Sequence, residues 1–263
     1  MAAGLMVLAP RRRRIVQRNL ALCFPLASGQ QRWRWTWQTF LHFSQSFLDR
    51  IWLWHGSEDR VRERIRVHDP QGVLSTSGPV IYFAPHFFGL DAAWAGLTQQ
   101  HPRRWFTLYA AQDNPRMDRW VKEGRRRFGH PRLVSRREGV RPLLKGLKEG
   151  ASLYLLPDMD LGARNSVFVP FFGVTAATVT SLSRLSQASS APVVTVVARM
   201  VQGGYVVELS DVWDAYTSAN DEADAIRMNA ELERHIFSMP GQYHWLHRRF
   251  KTRPAGEPPL YAD

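Results

Sequence analysis

His86 stands just after the apolar run Val80–Ala84 and Pro85, and Asp91 follows it by five positions. An imidazole and a carboxylate are the residue types of a general base and its support. The ring takes a proton from a hydroxyl, while the carboxylate fixes the tautomer and steadies the imidazolium. Geometry sets a condition on the pair. On one regular helix a separation of five residues is about 500° of turn, which leaves the side chains about 140° apart. They meet only if His86 sits on a turn ahead of the helix carrying Asp91, and Pro85 favours such a turn. A strand end followed by an ordinary helix cap is the alternative reading of the same stretch.

No protein nucleophile accompanies the pair. G-x-S-x-G is absent, and the one cysteine, Cys23, falls in an arginine-rich helical segment. A single cysteine also excludes an intrachain disulfide and fits a reducing, cytoplasm-facing location. His244 and His247, in "HWLH", have a spacing that suits metal ligands. With no third ligand in view, a packed or surface pair is expected. Neither H-E-x-x-H nor a Gly-rich phosphate loop occurs. A hydroxyl-activating base without a nucleophile of its own points to direct transfer onto an alcohol, with no cofactor and no metal.

The elements that must position these residues follow from periodicity. Val80–Ala84, Trp105–Ala110 and Ser152–Leu156 read as buried strands, and Val193–Met200 with Tyr205–Leu209 as a hairpin around Gly203-Gly204. Helical patterns begin near Leu90 and Thr178, lie within Gln112–Gly124 and Pro142–Lys148, and run last from Asn220 to Ser238. Strands alternating with helices imply an α/β fold, with a mixed, mostly parallel central sheet flanked by helices. Such sheets place their sites beyond the carboxyl ends of strands, which is where His86 falls. The 263 residues, 44% of them hydrophobic, suffice for one large core.

Residues 1–66 read as a helical, membrane-associating arm ahead of an α/β catalytic domain over 67–263. "SGQQ", Ser28–Gln31, has capping-box spacing and starts a helix. From there Trp33, Trp37, Phe40, Leu41, Phe47, Leu48 and Ile51 recur at three- and four-residue steps. Such a stripe packs on the core as an ordinary amphipathic helix does, or settles in the lipid headgroup layer, and different faces can do both. The arm carries 12 Arg against four acidic residues, most of the chain's net charge of +12. That field attracts polyanions: nucleic acid, anionic lipid or an acidic protein. Loss of Arg12 and Arg13 is expected to weaken liposome binding in a salt-dependent way. No run reaches the roughly 18 uncharged apolar residues of a spanning helix.

Longer strings narrow the reading. "RRRRIVQRNLALCFP", "VSRREGVRPLLKGLKEG", "LYLLPDMDLGARNSVFVPFFGVTAAT" and the closing "PGQYHWLHRRFKTRP" resemble the late acyltransferases of lipid A biosynthesis in Gram-negative bacteria. These are enzymes of lauroyl- and myristoyl-transferring type within the lysophospholipid acyltransferase superfamily. The likeness runs from Arg11 to Tyr261. It implies an enzyme on the cytoplasmic face of the inner membrane that moves a fatty acyl group from acyl carrier protein to a lipid A precursor. Under it the H-x4-D/E pair maps onto His86 and Asp91, and the two acids of P-D-x-D map onto Asp158 and Asp160. The arginine before the helix that precedes this strand maps onto Arg137. The resemblance implies that Arg137 binds a sugar phosphate or the developing oxyanion, with Arg164 serving the same anionic substrate. A solvated arginine, and for the aspartates a capped turn, are the plain alternatives.

The chain departs from the family at two places. Asn165 stands where a glycine is usual, which questions the local turn. A spanning segment is usual before the arginine block, whereas only nine residues separate the initiator from Arg11 here, so either the start lies further upstream or attachment rests on the Trp/Arg arm. An acyltransferase for another lysophospholipid or glycolipid, with acyl-CoA as donor, would share the chemistry. Nucleic-acid binding fits the charge, but the aromatics follow a helical pattern rather than alternating sheet positions. No nucleic-acid partner is expected.

Overall fold

The computed structural model describes residues 2–261; Met1, Ala262 and Asp263, the outer ends of the two segments distinguished above, lie outside it. Four helices come first: α1 (Ala2–Leu8), α2 (Pro10–Cys23), α3 (Gly29–His55) and α4 (Glu58–Arg64). Ser28 caps α3 as its spacing predicts, the hydroxyl oxygen accepting from the Gln31 N–H. Then follow β1 (Ile65–His68), β2 (Ile81–Phe83), α5 (Leu90–Gln100), β3 (Trp105–Tyr109), α6 (Pro115–Arg125) and β4 (Arg132–Ser135). The chain continues through α7 (Arg141–Lys148), β5 (Ser152–Leu155), β6 (Ser166–Phe171), β7 (Val174–Val179), α8 (Ser181–Ser189), β8 (Val193–Val201), β9 (Gly204–Val212) and α9 (Asp221–Ser238).

Seven strands form one sheet in the order β1-β9-β8-β2-β5-β3-β4. Only the β8–β9 hairpin is antiparallel, and the other neighbours run parallel. The expected mixed, mostly parallel sheet is therefore present. Strand β2 lies at its centre, and all three residues of β2 and all four of β5 are buried. Such runs fit strands covered on both faces. From β2 the chain crosses to the β3 side, and from β5 it returns to the β8 side. The order reverses between β2 and β5, and that reversal opens a crevice at their carboxyl ends.

Five elements, α8, β1, β4 and the β6–β7 pair, depart from the pattern expected from the sequence. The helix expected near Thr178 starts at Ser181, because Val174–Val179 pairs with β6 as an antiparallel hairpin. Its two-residue turn, Phe172-Gly173, has φ of 51° and 74°, the doubly left-handed geometry that matches strand twist. Strands β1 and β4, four residues each, lie at the two edges of the sheet. The boundary drawn between residues 66 and 67 falls inside β1, which pairs with β9 from Ile65 to His68.

Helix α3 turns its apolar stripe outward. Phe40 is buried, but Trp33, Trp37, Leu41, Phe47, Leu48 and Ile51 are exposed, Ile51 by 61%. The buried face carries Thr36, Thr39, Ser44 and Asp49 beside Trp52, Leu53 and Trp54. The three hydroxyls donate to carbonyls of Arg32, Trp35 and Phe40 one turn back, so no donor is orphaned. Packing on the core thus combines these small polar residues with Phe40, Trp52, Leu53 and Trp54. Helix α2 is sunk into the molecule: Val16 and Leu20 share a cluster with Ile81, Phe83 and Phe87. Among the described residues no helix is long and apolar enough to cross a membrane.

Candidate active site

Pro85 ends β2, and the Phe87 N–H donates back to the Pro85 carbonyl at 2.7 Å. His86 therefore sits on a tight turn ahead of α5, as the spacing argument requires. Its partner, however, is not Asp91. The His86 Nδ1 lies 2.7 Å from Oδ1 of Asp158, and its backbone N–H donates to Oδ2 at 2.9 Å. Asp158 follows β5, the neighbour of β2, so the two strand ends bring together residues 72 apart in sequence. The carboxylate is fully buried, and Tyr243 donates its hydroxyl to Oδ2 at 3.1 Å.

Burial pushes the Asp158 carboxyl upward, but the charge and two hydrogen bonds of His86 outweigh it and hold the group below the ordinary carboxylate range. The carboxylate thus stays ionised. With Nδ1 committed to it, the partly exposed His86 ring makes no described hydrogen bond through Nε2. That leaves Nε2 as the nitrogen that can take a proton from an incoming group.

The C-terminal segment holds the turn from the other side. The Phe88 N–H donates to the Gln242 carbonyl at 2.9 Å, and the His244 N–H donates to the His86 carbonyl at 3.0 Å. Phe87 and Tyr243 form an antiparallel bridge. The His244 ring centroid lies 6.4 Å from that of His86 and 5.7 Å from that of Phe88. Burial and then the charge of His86 push the His244 imidazole down to about 3. Burial and then Lys251 push His247 to about 4. Both are neutral rings at neutral pH. Among the described residues no group of three or more His, Cys, Asp or Glu gathers around them.

The remaining candidates separate clearly. Asp91, on the first turn of α5, is buried between two arginines that the sequence reading did not single out. Arg50 of α3 meets Oδ2 through Nε at 3.0 Å and Nη2 at 2.9 Å. Arg125 of α6 meets Oδ1 through Nε and Nη2, both at 2.9 Å. The expected contact of Asp91 with His86 is corrected by this arrangement: a carboxylate engaged on both oxygens by guanidiniums has its strongest partners already. Asp160, expected at the substrate, is also fully buried. It accepts from the Thr252 N–H and hydroxyl, each at 2.8 Å, and from the Gly162 N–H. It fastens the C-terminal segment beside the site.

Arg137 and Arg164 are exposed, and no described hydrogen bond or ion pair uses their side chains. Arg137 follows β4, three strands from β2 on the same sheet edge, or about 14 Å across at 4.8 Å per strand. Asn165 adopts φ of 61°, so it takes the left-handed turn that a glycine would. The basic string after His247 is partly interior: Arg249 is buried, donating to the Ala177 carbonyl at 2.9 Å and to Thr178 Oγ1 at 3.1 Å. Two larger clefts of about 530 and 500 Å³ lie elsewhere. One is lined by Arg11, Arg14, Arg18 and Arg248, the other by residues of α3 and the β8–β9 turn, and neither includes His86.

Residues 1–252 match the family described as bacterial lipid A biosynthesis acyltransferase. The chain belongs to that family. It is 33% identical over 257 residues to the lipid A biosynthesis lauroyltransferase of Escherichia coli strain K12, covering 95% of this chain and 83% of that protein. It is 30% identical to the lipid A biosynthesis palmitoleoyltransferase of the same strain, over 95% of this chain and 82% of that one. A lipid A biosynthesis acyltransferase of Haemophilus influenzae is 31% identical, with 96% and 82% covered. This lipid A acyltransferase therefore carries its His86–Asp158 contact at the switch point of an α/β sheet, and the resemblance read from the sequence strings is correct.

Proposed function

We infer that the protein transfers a fatty acyl chain from an acyl carrier protein thioester to a hydroxyl of a lipid A precursor, with His86 as general base. The observation that carries this reading is the 2.7 Å contact of His86 Nδ1 with the buried Asp158 carboxylate at the β2/β5 crevice. His86 Nε2 takes the proton of the acceptor hydroxyl as its oxygen attacks the thioester carbonyl. The C–O bond forms, the C–S bond breaks, and the imidazolium returns its proton to the leaving thiolate. Asp158 holds the ring in one tautomer and balances its transient charge, while Tyr243 and the backbone of residues 242–244 hold Asp158 and the turn in place. No covalent intermediate on the protein is needed.

Arg137 and Arg164, exposed near strand ends, supply cations for an anionic substrate or donor. The outward stripe of α3, with the arginines of α2, supports attachment to an anionic membrane surface at the cytoplasmic face of the inner membrane. The test is acyl transfer in a membrane assay with acyl carrier protein and with coenzyme A thioesters as alternative donors. His86→Ala is expected to lose transfer by about 10²–10⁴-fold, the usual contribution of a general base. Full activity of that variant removes the mechanism. An unchanged lipid A acyl count on deleting the gene removes the acceptor, and preference for coenzyme A thioesters removes the donor.

A further inference from the structure

The Arg50–Asp91–Arg125 cluster has more positive charge than its fold requires. One buried carboxylate faces two guanidiniums and can neutralise only one, so the cluster carries a net positive charge. Asp49, the neighbouring carboxylate on α3, is taken by Gln45 and Trp52 through Oδ1 and by Tyr205 through Oδ2. Each guanidinium has five N–H groups and directs only its Nε and Nη2 at Asp91. No other described hydrogen bond uses either one, and the two side chains remain 25% and 21% exposed. Two forks fixed by one carboxylate, each with unused donors, form a ready receptor for a tetrahedral oxyanion.

The surroundings say where that anion comes from. Arg50 lies 5.7 Å from the Phe47 ring centroid and 5.1 Å from that of Trp54. Phe47 is exposed, and Ile51 and Leu48 continue the exposed apolar stripe on that side of α3, so Arg50 lies at the edge of the stripe. Apolar surface around a cation suits a phosphate at the edge of a lipid layer rather than one free in water. Asp91 stands five residues after His86, so their Cα atoms are at most about 17 Å apart along the chain. One headgroup can present a hydroxyl to His86 and a phosphate to the arginines. The void beside Asp91 and Arg125, about 10 Å³, is too small for more than a water molecule. The anion therefore meets the guanidiniums from the outer side.

We propose that Arg50 and Arg125, held apart and aimed by Asp91, bind a phosphate group on the headgroup of the acceptor lipid. Asp91 is then a positioning residue for the two arginines rather than for His86. This inference rests on the acceptor being a lipid hydroxyl, as argued above, and names the group that orients it.

The test is equilibrium binding to phosphatidylcholine vesicles of three kinds. One kind contains a phosphorylated hydroxyacyl glucosamine lipid, one the same lipid after phosphatase treatment, and one phosphatidylglycerol at matched charge. The native protein is expected to bind the first at least tenfold more tightly than the second. Arg50→Gln and Arg125→Lys, tested singly, are expected to remove most of that difference and leave binding to phosphatidylglycerol vesicles within twofold. Each single variant leaves Asp91 a cationic partner, so the fold survives, and a thermal melt verifies it. Equal loss on phosphorylated and dephosphorylated lipid overturns the proposal. Equal loss on phosphatidylglycerol overturns it too, by assigning the arginines to bulk lipid. Binding requires no turnover, so His86→Ala must still discriminate the two acceptor lipids. If it does while retaining full transferase activity, the base mechanism fails and the phosphate site stands.

Discussion

His86 and Asp91 are five residues apart in sequence yet serve different partners, His86 the carboxylate of Asp158 and Asp91 the guanidiniums of Arg50 and Arg125. The two carboxylates therefore do different work, and single substitutions separate them. Asp158→Asn keeps the shape and removes the charge that fixes the His86 tautomer. Turnover is expected to fall by about 10²–10⁴-fold with the acceptor KM little changed. Asp91→Asn leaves the His86–Asp158 contact intact and loosens both arginines, so it is expected to raise the acceptor KM more than it lowers turnover. Steady-state kinetics with varied acceptor check both. The opposite pattern would return Asp91 to the imidazole.

What the sequence made legible was local. The Ser28 cap, the end of β2 at Pro85, the start of α5 and the β8–β9 hairpin each follow from residues within one turn or one strand. The His86–Asp158 contact spans 72 residues and depends on β5 lying next to β2, which no local period encodes. Arg50 was hidden for a similar reason. It is one of three arginines on α3, and only the packing of that helix against α5 and α6 gives it a carboxylate. The orientation of α3 was misleading because burial of Thr36, Thr39 and Ser44 reverses the usual rule, their hydroxyls being satisfied within the helix. Edge strands β1 and β4 are only four residues each, too short for a period of two to stand out.

Stability should fall on mild acidification, and the sign follows from the two histidines. His244, facing His86, His247, Asp158 and Arg12, is pushed down to about 3. His247, facing Lys251, Asp160, His86 and Arg249, is pushed down to about 4. Both titrate near 6.5 in the unfolded chain. Below that value the unfolded state binds protons that the folded state refuses, so stability is full above pH 6.5 and declines toward pH 4. The slope is at most about 1.4 kcal/mol per pH unit for each ring. Asp158 and Asp91 act lower: their depressed carboxyls stabilise the fold above the ordinary carboxylate value near 4, and that contribution is lost below it. His244→Phe should flatten the decline of melting temperature between pH 6.5 and 4.5. An unchanged slope would show that the ring is protonated without cost.

The proposed membrane attachment by α3 and α2 separates into an apolar and an ionic part. Trp33→Gln with Ile51→Gln removes two exposed apolar side chains of α3. Vesicle affinity is expected to fall about tenfold or more at all salt concentrations, since each large side chain contributes about 1.5–3 kcal/mol when fully buried. Arg11→Gln with Arg14→Gln, at the cleft shared with Arg248, should weaken binding to anionic vesicles at low salt only. These two are better probes than Arg12, whose guanidinium already donates to the Leu246 carbonyl at 3.1 Å. Identical salt profiles for the two pairs of variants would contradict the division.

Gly124 controls how closely α6 approaches α3, and with it the position of Arg125. A Cβ on Gly124 would lie 2.1 Å from Cδ2 of the Trp54 indole. That ring is buried and packs edge-on against Trp120 at 4.5 Å, so it has little room to yield. Gly124→Ala should push α6 outward, with an overpacking cost of about 1–3 kcal/mol. Because Arg125 is the next residue, the shift also lengthens its contacts with Asp91. The variant is therefore expected to melt several degrees lower and to lose acceptor affinity more than turnover. Gly78→Ala, ahead of β2 at the end of the sheet away from His86, is a useful contrast, because its surroundings hold no atom within 4 Å and its cost comes only from a φ of 90°. It should lower the melting temperature without touching acceptor affinity. If both glycine variants change acceptor KM alike, the α3–α6 distance is not what sets the arginine pair.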